Sequence, residues 1–450
     1  MKFKGTLVLV VLCALLLAVV LLLDKNGGKS DGAGESKQLF KVEEGKIRRI
    51  AMVRDGATVA AIRGDKQWTI EQPVRAEGNK DEWNGLALAL SAFDYERVVE
   101  EKPQDTGRYG LSNPELVITF ELDKGEVHKL ELGAPNFSGG SYFARRGNDP
   151  NVYLVSGYSR DKFTAGLDRL REAAAMKFDM YAATALHLDR PDGAVQFRKK
   201  DWNWFLETPV AGPADDNELE TILRQCSELR VQDHLDGADP ALLKKTFGPV
   251  RYRVAATLDK GEQQVLEIGA ADPFPANSGQ VLALNVARTD YFTLPQSAVA
   301  ALDTPLDKLR SHDVARFYPF EVKGVTWETG GTKTVLTKNQ EGKWTWKRKE
   351  GAVSLDTAPI DEFLGRLRDL KVAAFVDTPD PARLGFNPPA ARVILDVESK
   401  AGITLLFGSA ADGQRSARNS EYAYAVRVDD TAWQNLKFEP AAWRATSKKP

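Results

Sequence analysis

Three stretches of the chain repeat one order of apolar and polar positions. Each opens with a strand-like run that ends on tryptophan: Gln67-Trp68-Thr69-Ile70, Asn203-Trp204-Phe205-Leu206 and Lys343-Trp344-Thr345-Trp346, at intervals of 136 and 140 residues. Apolar residues then recur at i, i+3, i+7 and i+10, the spacing of one face of an α-helix. They are Trp83, Leu86, Leu90 and Phe93, then Leu219, Ile222, Cys226 and Leu229, then Ile360, Phe363, Leu367 and Leu370. An aromatic or leucine followed by glycine comes next, at Tyr109-Gly110, Phe247-Gly248 and Leu384-Gly385. Asp and Gly between alternating apolar runs predict a hairpin at Leu122-Asp123-Lys124-Gly125-Glu126 and at the same five residues from Leu258 to Glu262. The third copy has the longer Glu398 to Gly402, and the second hairpin strand ends in glycine each time, at Gly133, Gly269 and Gly408. Two further strands follow, and a short helical segment closes the unit, Leu167-Asp168-Arg169-Leu170-Arg171 matching Leu306-Asp307-Lys308-Leu309-Arg310. The third copy ends near Trp443 without such a segment, as terminal repeats often do.

A different pattern opens the chain. Leu7 to Leu23 is an unbroken apolar run of 17 residues, about 26 Å as a helix, preceded by Lys2 and Lys4. It predicts an uncleaved transmembrane anchor with the short tail in the cytoplasm and the bulk outside it. A cleaved signal peptide is the competing reading, but its apolar region would be shorter and followed closely by a small-residue site. Residues 24–46 begin rich in Gly, Ser and Lys and read as a tether, of which 15 residues of coil reach on the order of 20 Å. The expected organisation is therefore 1–23 tail and anchor, 24–46 tether, 47–182, 183–318 and 319–450 repeats. The expected fold class is α+β: an N-terminal transmembrane helix, then three tandem repeats of mainly antiparallel sheet with one main helix each.

Composition narrows the function. The 450 residues carry 61 basic and 63 acidic side chains, a balance that gives no basic stripe for nucleic acid. The two cysteines, Cys13 and Cys226, give no disulfide framework, and Cys226 sits on the helix face that Leu90 and Leu367 fill. The histidines His128, His187, His234 and His312 lack metal-ligand spacing, and no G-x-S-x-G is present. Asp215-Asp216 falls at a helix start and Asp429-Asp430 between strands, both places where solvated acids are ordinary. No catalytic residue, metal or cofactor is expected.

Ligand-binding candidates remain. Trp202 with Trp204, and Trp346 with Trp344, stand two apart, which on a strand places each pair on one face. Core edge is the favoured reading of Trp202 and Trp346, exposure for a ligand or partner the alternative. The loops Ala134–Gly140, Ala270–Gly279 and Ser409–Ser420 differ between copies, and Phe274, between Pro273 and Pro275, is the distinctive residue among them. They read first as tolerated surface insertions, with binding specificity as the alternative.

Trp68-Thr69-Ile70-Glu71-Gln72-Pro73, Tyr109-Gly110-Leu111, Leu130-Glu131-Leu132-Gly133 and Tyr142-Phe143-Ala144-Arg145 together resemble the family of domains of unknown function numbered 4340. The resemblance covers roughly residues 47–445, in three copies, and is weakest in the third. It implies a bacterial membrane-anchored protein, often encoded near ATPase and permease components similar to those of gliding motility, and it supplies no catalytic residues. The expected function is a non-enzymatic scaffold or accessory subunit at the inner membrane, held to the bilayer by Leu7 to Leu23, its bulk periplasmic, with transporter components as partners. A module binding a ligand or envelope polymer is the second reading, a hydrolase with a carboxylate site the third.

Overall fold

The computed structural model describes residues 37–269, 279–398 and 402–445. The tryptophan-led pattern folds into three antiparallel sheets. In the first, the strands are β1 (Ile47–Arg54), β2 (Ala57–Arg63), β3 (Trp68–Gln72), β4 (Ala76–Glu77), β5 (Arg97–Glu100), β6 (Leu116–Leu122), β7 (Val127–Pro135), β8 (Ser141–Arg146) and β9 (Val152–Ser156), in the order β4-β3-β2-β1-β6-β7-β8-β9-β5. The third sheet, from Val322–Thr329 to Ala425–Asp429, repeats this order over nine strands. The second, from Ala183–Asp189 to Asp290–Pro295, repeats it over eight. There the place of β5 is held by the 231–234 stretch, tied to the last strand where Gln232 N–H donates to Thr293 O at 2.9 Å.

Register shows why the apolar alternation fixes each sheet. The central strand puts Ile50 opposite Ala61 and Phe120, Leu186 opposite Phe197 and Ala256, and Val325 opposite Leu336 and Leu395. All nine of these side chains are buried. A one-residue slip would turn every one of them to the other face.

One main helix lies on each sheet: Lys80–Ser91, Asp216–Glu228 and Thr357–Arg368. Asn79 and Asp215 cap the first two by accepting from the backbone N–H groups two and three residues on. The helical apolar face meets the leading tryptophan. Trp68 stacks on Trp83 with ring centroids 5.6 Å apart, and Trp68, Trp204 and Trp344 are all at most 2% exposed.

The aromatic–glycine step has a close-packing reason. The backbone at Tyr109-Gly110, Phe247-Gly248 and Leu384-Gly385 lies against the hairpin glycine of the same repeat. A side chain at Gly133, Gly269 or Gly408 would strike the carbonyl oxygen of Tyr109, Phe247 or Leu384. The hairpin turns are tight, Leu122 and Leu258 each donating to the glutamate four residues on at 2.8 Å.

Three expectations are corrected. The fold class is mostly antiparallel β rather than α+β, with 43% strand and 21% helix in three sheets. The cause is arithmetic: one helix of 12 or 13 residues serves a sheet of eight or nine strands. No helix among the described residues is long and apolar enough to cross a membrane. The N-terminal transmembrane helix is therefore no element of the described fold, and Leu7 to Leu23 lies outside the described residues.

The third correction concerns how the repeats close. In the first, Asn79 N–H donates to Leu170 O at 2.8 Å; in the second, Asp215 N–H donates to Leu309 O at 2.9 Å. In the third, Asp356 N–H donates to Trp443 O at 2.8 Å. The bridges that follow are equivalent too: Gly78 with Arg171, Ala214 with Arg310, and Leu355 with Arg444. The third copy does carry a closing segment, in which Trp443-Arg444 stands where Leu309-Arg310 and Leu170-Arg171 stand.

The chain divides into two compact units at Ala173/Ala174. The first holds the first sheet; the second holds the other two sheets and the junction between them.

Candidate functional site

Within the second unit, the segment closing the second repeat delivers a charged side chain into the third. Leu309 caps the main helix start through its carbonyl, and Ser311 N–H donates to Pro213 O at 3.0 Å along the edge strand Gly212–Pro213. Arg310, held between these two anchors, is 0% exposed. Its Nη1 and Nη2 donate to the two oxygens of Asp377 at 2.5 and 3.0 Å. Its guanidinium carbon lies 4.9 Å from the Phe375 ring and 5.4 Å from the Tyr424 ring. A planar, weakly hydrated cation suits this slot, because it can stack and fork at once.

Backbone and small residues complete the junction. Ala423 N–H donates to Ala211 O at 3.0 Å, joining the two repeats main chain to main chain. Tyr424 fills the space beside Gly212, where any side chain would strike its ring. Arg316 donates to Ala214 O at 2.6 Å and to Asp216 at 3.2 Å, and Asp216 accepts from Trp204 N–H at 2.7 Å. Burial pushes the Tyr424 hydroxyl up to about 12 against the opposing charges of Arg310 and Arg316, and pushes Tyr422 up further still. With Arg310 sealed from solvent, the cluster's chemistry is that of a fastener: a carboxylate clamped by a stacked guanidinium.

The sequence candidates lie elsewhere. Trp202 is not at a core edge. It is 90% exposed, in a turn at φ 71°, between strands Val195–Lys200 and Asn203–Thr208. Its two-residue spacing from Trp204 counts across a turn, so the strand argument does not apply to it. Trp346 is half-buried against the third core, on the strand Trp344–Arg348, with the guanidinium carbons of Arg348 and Arg444 at 5.2 and 5.9 Å from its ring. Phe274 lies outside the described residues. Trp202 and Trp346 belong to different sheets and are not brought into one pocket.

The acidic pairs singled out in the sequence make local contacts. Asp215 caps a helix, and Asp429 caps the short helix Asp430–Gln434 rather than sitting in a turn between strands. Asp430 pairs with Arg415 at 2.7 Å. Burial pushes the Cys226 thiol up to about 12, which keeps it protonated and unreactive. No group of three or more metal-ligating side chains is assembled among the described residues. An open cleft of about 610 Å³ runs beside the helix Asp216–Glu228, floored by Ile222, Cys226 and Leu266 with Glu218, Gln225 and Arg230 at its sides. A second, about 880 Å³ in the first unit, has mixed charges from Lys41, Glu43, Asp123, Lys124 and Arg146.

The Arg310 fastener escaped the sequence reading, although one signal was present. The repeated closing segment ends on arginine in both copies, at Arg171 and Arg310. Its partner Asp377 carries no such mark.

A family model described as Domain of unknown function (DUF4340) matches residues 68–247 and, overlapping, 204–389. Both matches begin on the leading tryptophan of a repeat, and together they take in more than half of the chain. No curated protein matches.

Proposed function

The chain belongs to the DUF4340 family, and on that premise we propose that it is a non-enzymatic scaffold, an accessory subunit that holds partner proteins rather than transforming a substrate. One observation carries the reading. The most deeply buried charged side chain described in the second unit, Arg310, pairs with Asp377 across the junction of two repeats instead of facing a pocket. A scaffold gains from such fasteners, because a partner bound on one repeat is then held in fixed relation to the next. The strand order common to the three sheets supports reading the third as a further family copy, one that continues past the last matched residue, 389.

The partners we propose are membrane components of a bacterial ABC-type transporter, of the kind associated with gliding motility. The placement we propose is the inner membrane, with the repeats on its outer side and the apolar residues Leu7 to Leu23 in contact with the bilayer. Chemical crosslinking in intact cells, followed by purification of the chain from the membrane fraction, tests this. Permease and ATPase subunits recovered in stoichiometric amounts are the expected result. A chain found in the soluble fraction, or recovered with no transport component, would contradict it.

A second reading has one observation in its favour. A tryptophan 90% exposed at positive φ is costly in a turn that Asn or Gly would suit better. That cost points to a binding role for Trp202, with an envelope glycan as the natural ligand of an exposed indole. Glycan binding lost in Trp202→Ala would favour this reading, and binding unchanged in that variant would remove it.

A further inference from the structure

The Arg310 fastener has a positional counterpart in the third repeat. Arg444 stands at the position of Arg310, one residue after the carbonyl that accepts from the helix-capping residue and opposite the edge strand of its own sheet. Ala445 N–H donates to Ser354 O at 3.2 Å, as Ser311 donates to Pro213 O. Two residues before Ser354, Ala352 takes the place of Ala211, whose carbonyl binds the following repeat. Arg310 is buried by the third repeat, whereas Arg444 is exposed; Ala211 and Ala352 are both exposed, and the Ala211 carbonyl accepts from Ala423. Arg444 rests on Trp346, with its guanidinium carbon 5.9 Å from the ring, and no carboxylate pairs with it among the described residues. On the same side of the Trp346 strand, Arg348 lies 5.2 Å from the Trp346 ring and is paired with Glu350 at 2.9 Å, which leaves the Arg444 guanidinium as the cation there without a carboxylate among the described residues.

We infer that this face of the third repeat, formed by Arg444, Trp346 and the edge strand Gly351–Ser354, docks a partner protein that presents an aromatic residue followed two positions later by a carboxylate on an exposed strand. The specification comes from the internal junction, where Phe375 and Asp377 hold Arg310 in that arrangement. The unpaired guanidinium of Arg444 selects the same sign of charge. The partner's carboxylate takes the arginine fork, as Asp377 takes that of Arg310. This deepens the scaffold reading by naming the surface and the partner chemistry.

The test titrates the full chain with an end-blocked, fluorescent peptide copying residues 371–378, which contains Phe375 and Asp377. Saturable binding is expected by anisotropy. Arg444→Glu in the chain, or Asn for the peptide's aspartate, should weaken it about tenfold, the loss of one charge-assisted fork. Arg444→Lys, which keeps the charge and the fold but not the fork, should fall between. No saturable binding, binding indifferent to Arg444→Glu, or equal binding of the Asn peptide would each overturn the inference. Capture of transport subunits from membranes could still succeed through another face, so failure here is distinct from failure of the scaffold reading.

Discussion

Arg310 shows how one side chain can decide whether two repeats act together. It is fully buried, while its partner Asp377 keeps 44% of its side chain in solvent. Asp377→Asn would leave a buried guanidinium with only the exposed Asp307 carboxylate, 3.8 Å away, as counter-ion. Breaking a fully buried pair costs about 3–5 kcal/mol, and solvent at the aspartate reduces that. We expect a loss of about 2 kcal/mol in chemical denaturation of the second unit, with Asp361→Asn, on an exposed carboxylate, near zero. Trp202 supplies the opposite case. Trp202→Gly relieves a positive-φ side chain and should stabilise the turn by about 1 kcal/mol, read as a raised melting temperature. Alkaline pH probes the same residues. Tyr424 and Cys226 are both raised to about 12 in the folded state. Their protons leave more easily from the unfolded chain, so stability is full below pH 9 and declines as pH rises toward 12. Melting temperature followed across pH 8–11 should show that decline, and Tyr424→Phe should flatten part of it.

The hairpin glycines set the geometry of whole elements. Gly269→Ala would push a methyl group into the Phe247 carbonyl, which is backbone and cannot rotate away. We expect about 2 kcal/mol of destabilisation, measured by urea unfolding, against a gain of about 0.5–1 kcal/mol for Gly85→Ala, where a side chain meets open space inside a helix. This glycine was legible as a repeated feature, because it recurs at one offset after each hairpin. So were the tryptophan strands and the helix faces, since burial against a sheet demands a periodic side of the helix. What was not legible depends on contacts between elements. Asp377 lies 67 residues beyond Arg310, and nothing local sets it apart. Trp443-Arg444 escaped notice because the closing segment is defined by its hydrogen bonds to Asp356 and Ser354, while its residues differ from Leu-Asp-x-Leu-Arg. Trp202 was misplaced because a two-residue spacing holds its meaning only inside a strand.

At the scale of the whole chain, tandem repeats owe their joint stability to each repeat and to each junction between neighbours. Residues 174–450 make one compact unit from two sheets, and the Arg310 cluster is the charged part of the junction that unites them. A scaffold needs that union, since independent repeats would let bound partners drift apart. Native-state hydrogen exchange on the full chain tests it most directly. In the wild-type protein, the slowest amides of the sheets beginning at Ala183 and at Val322 should open together with one free energy, and Asp377→Asn should split them into two classes. Separate opening of those sheets in the wild type, or one shared class that survives Asp377→Asn unchanged, would contradict the account.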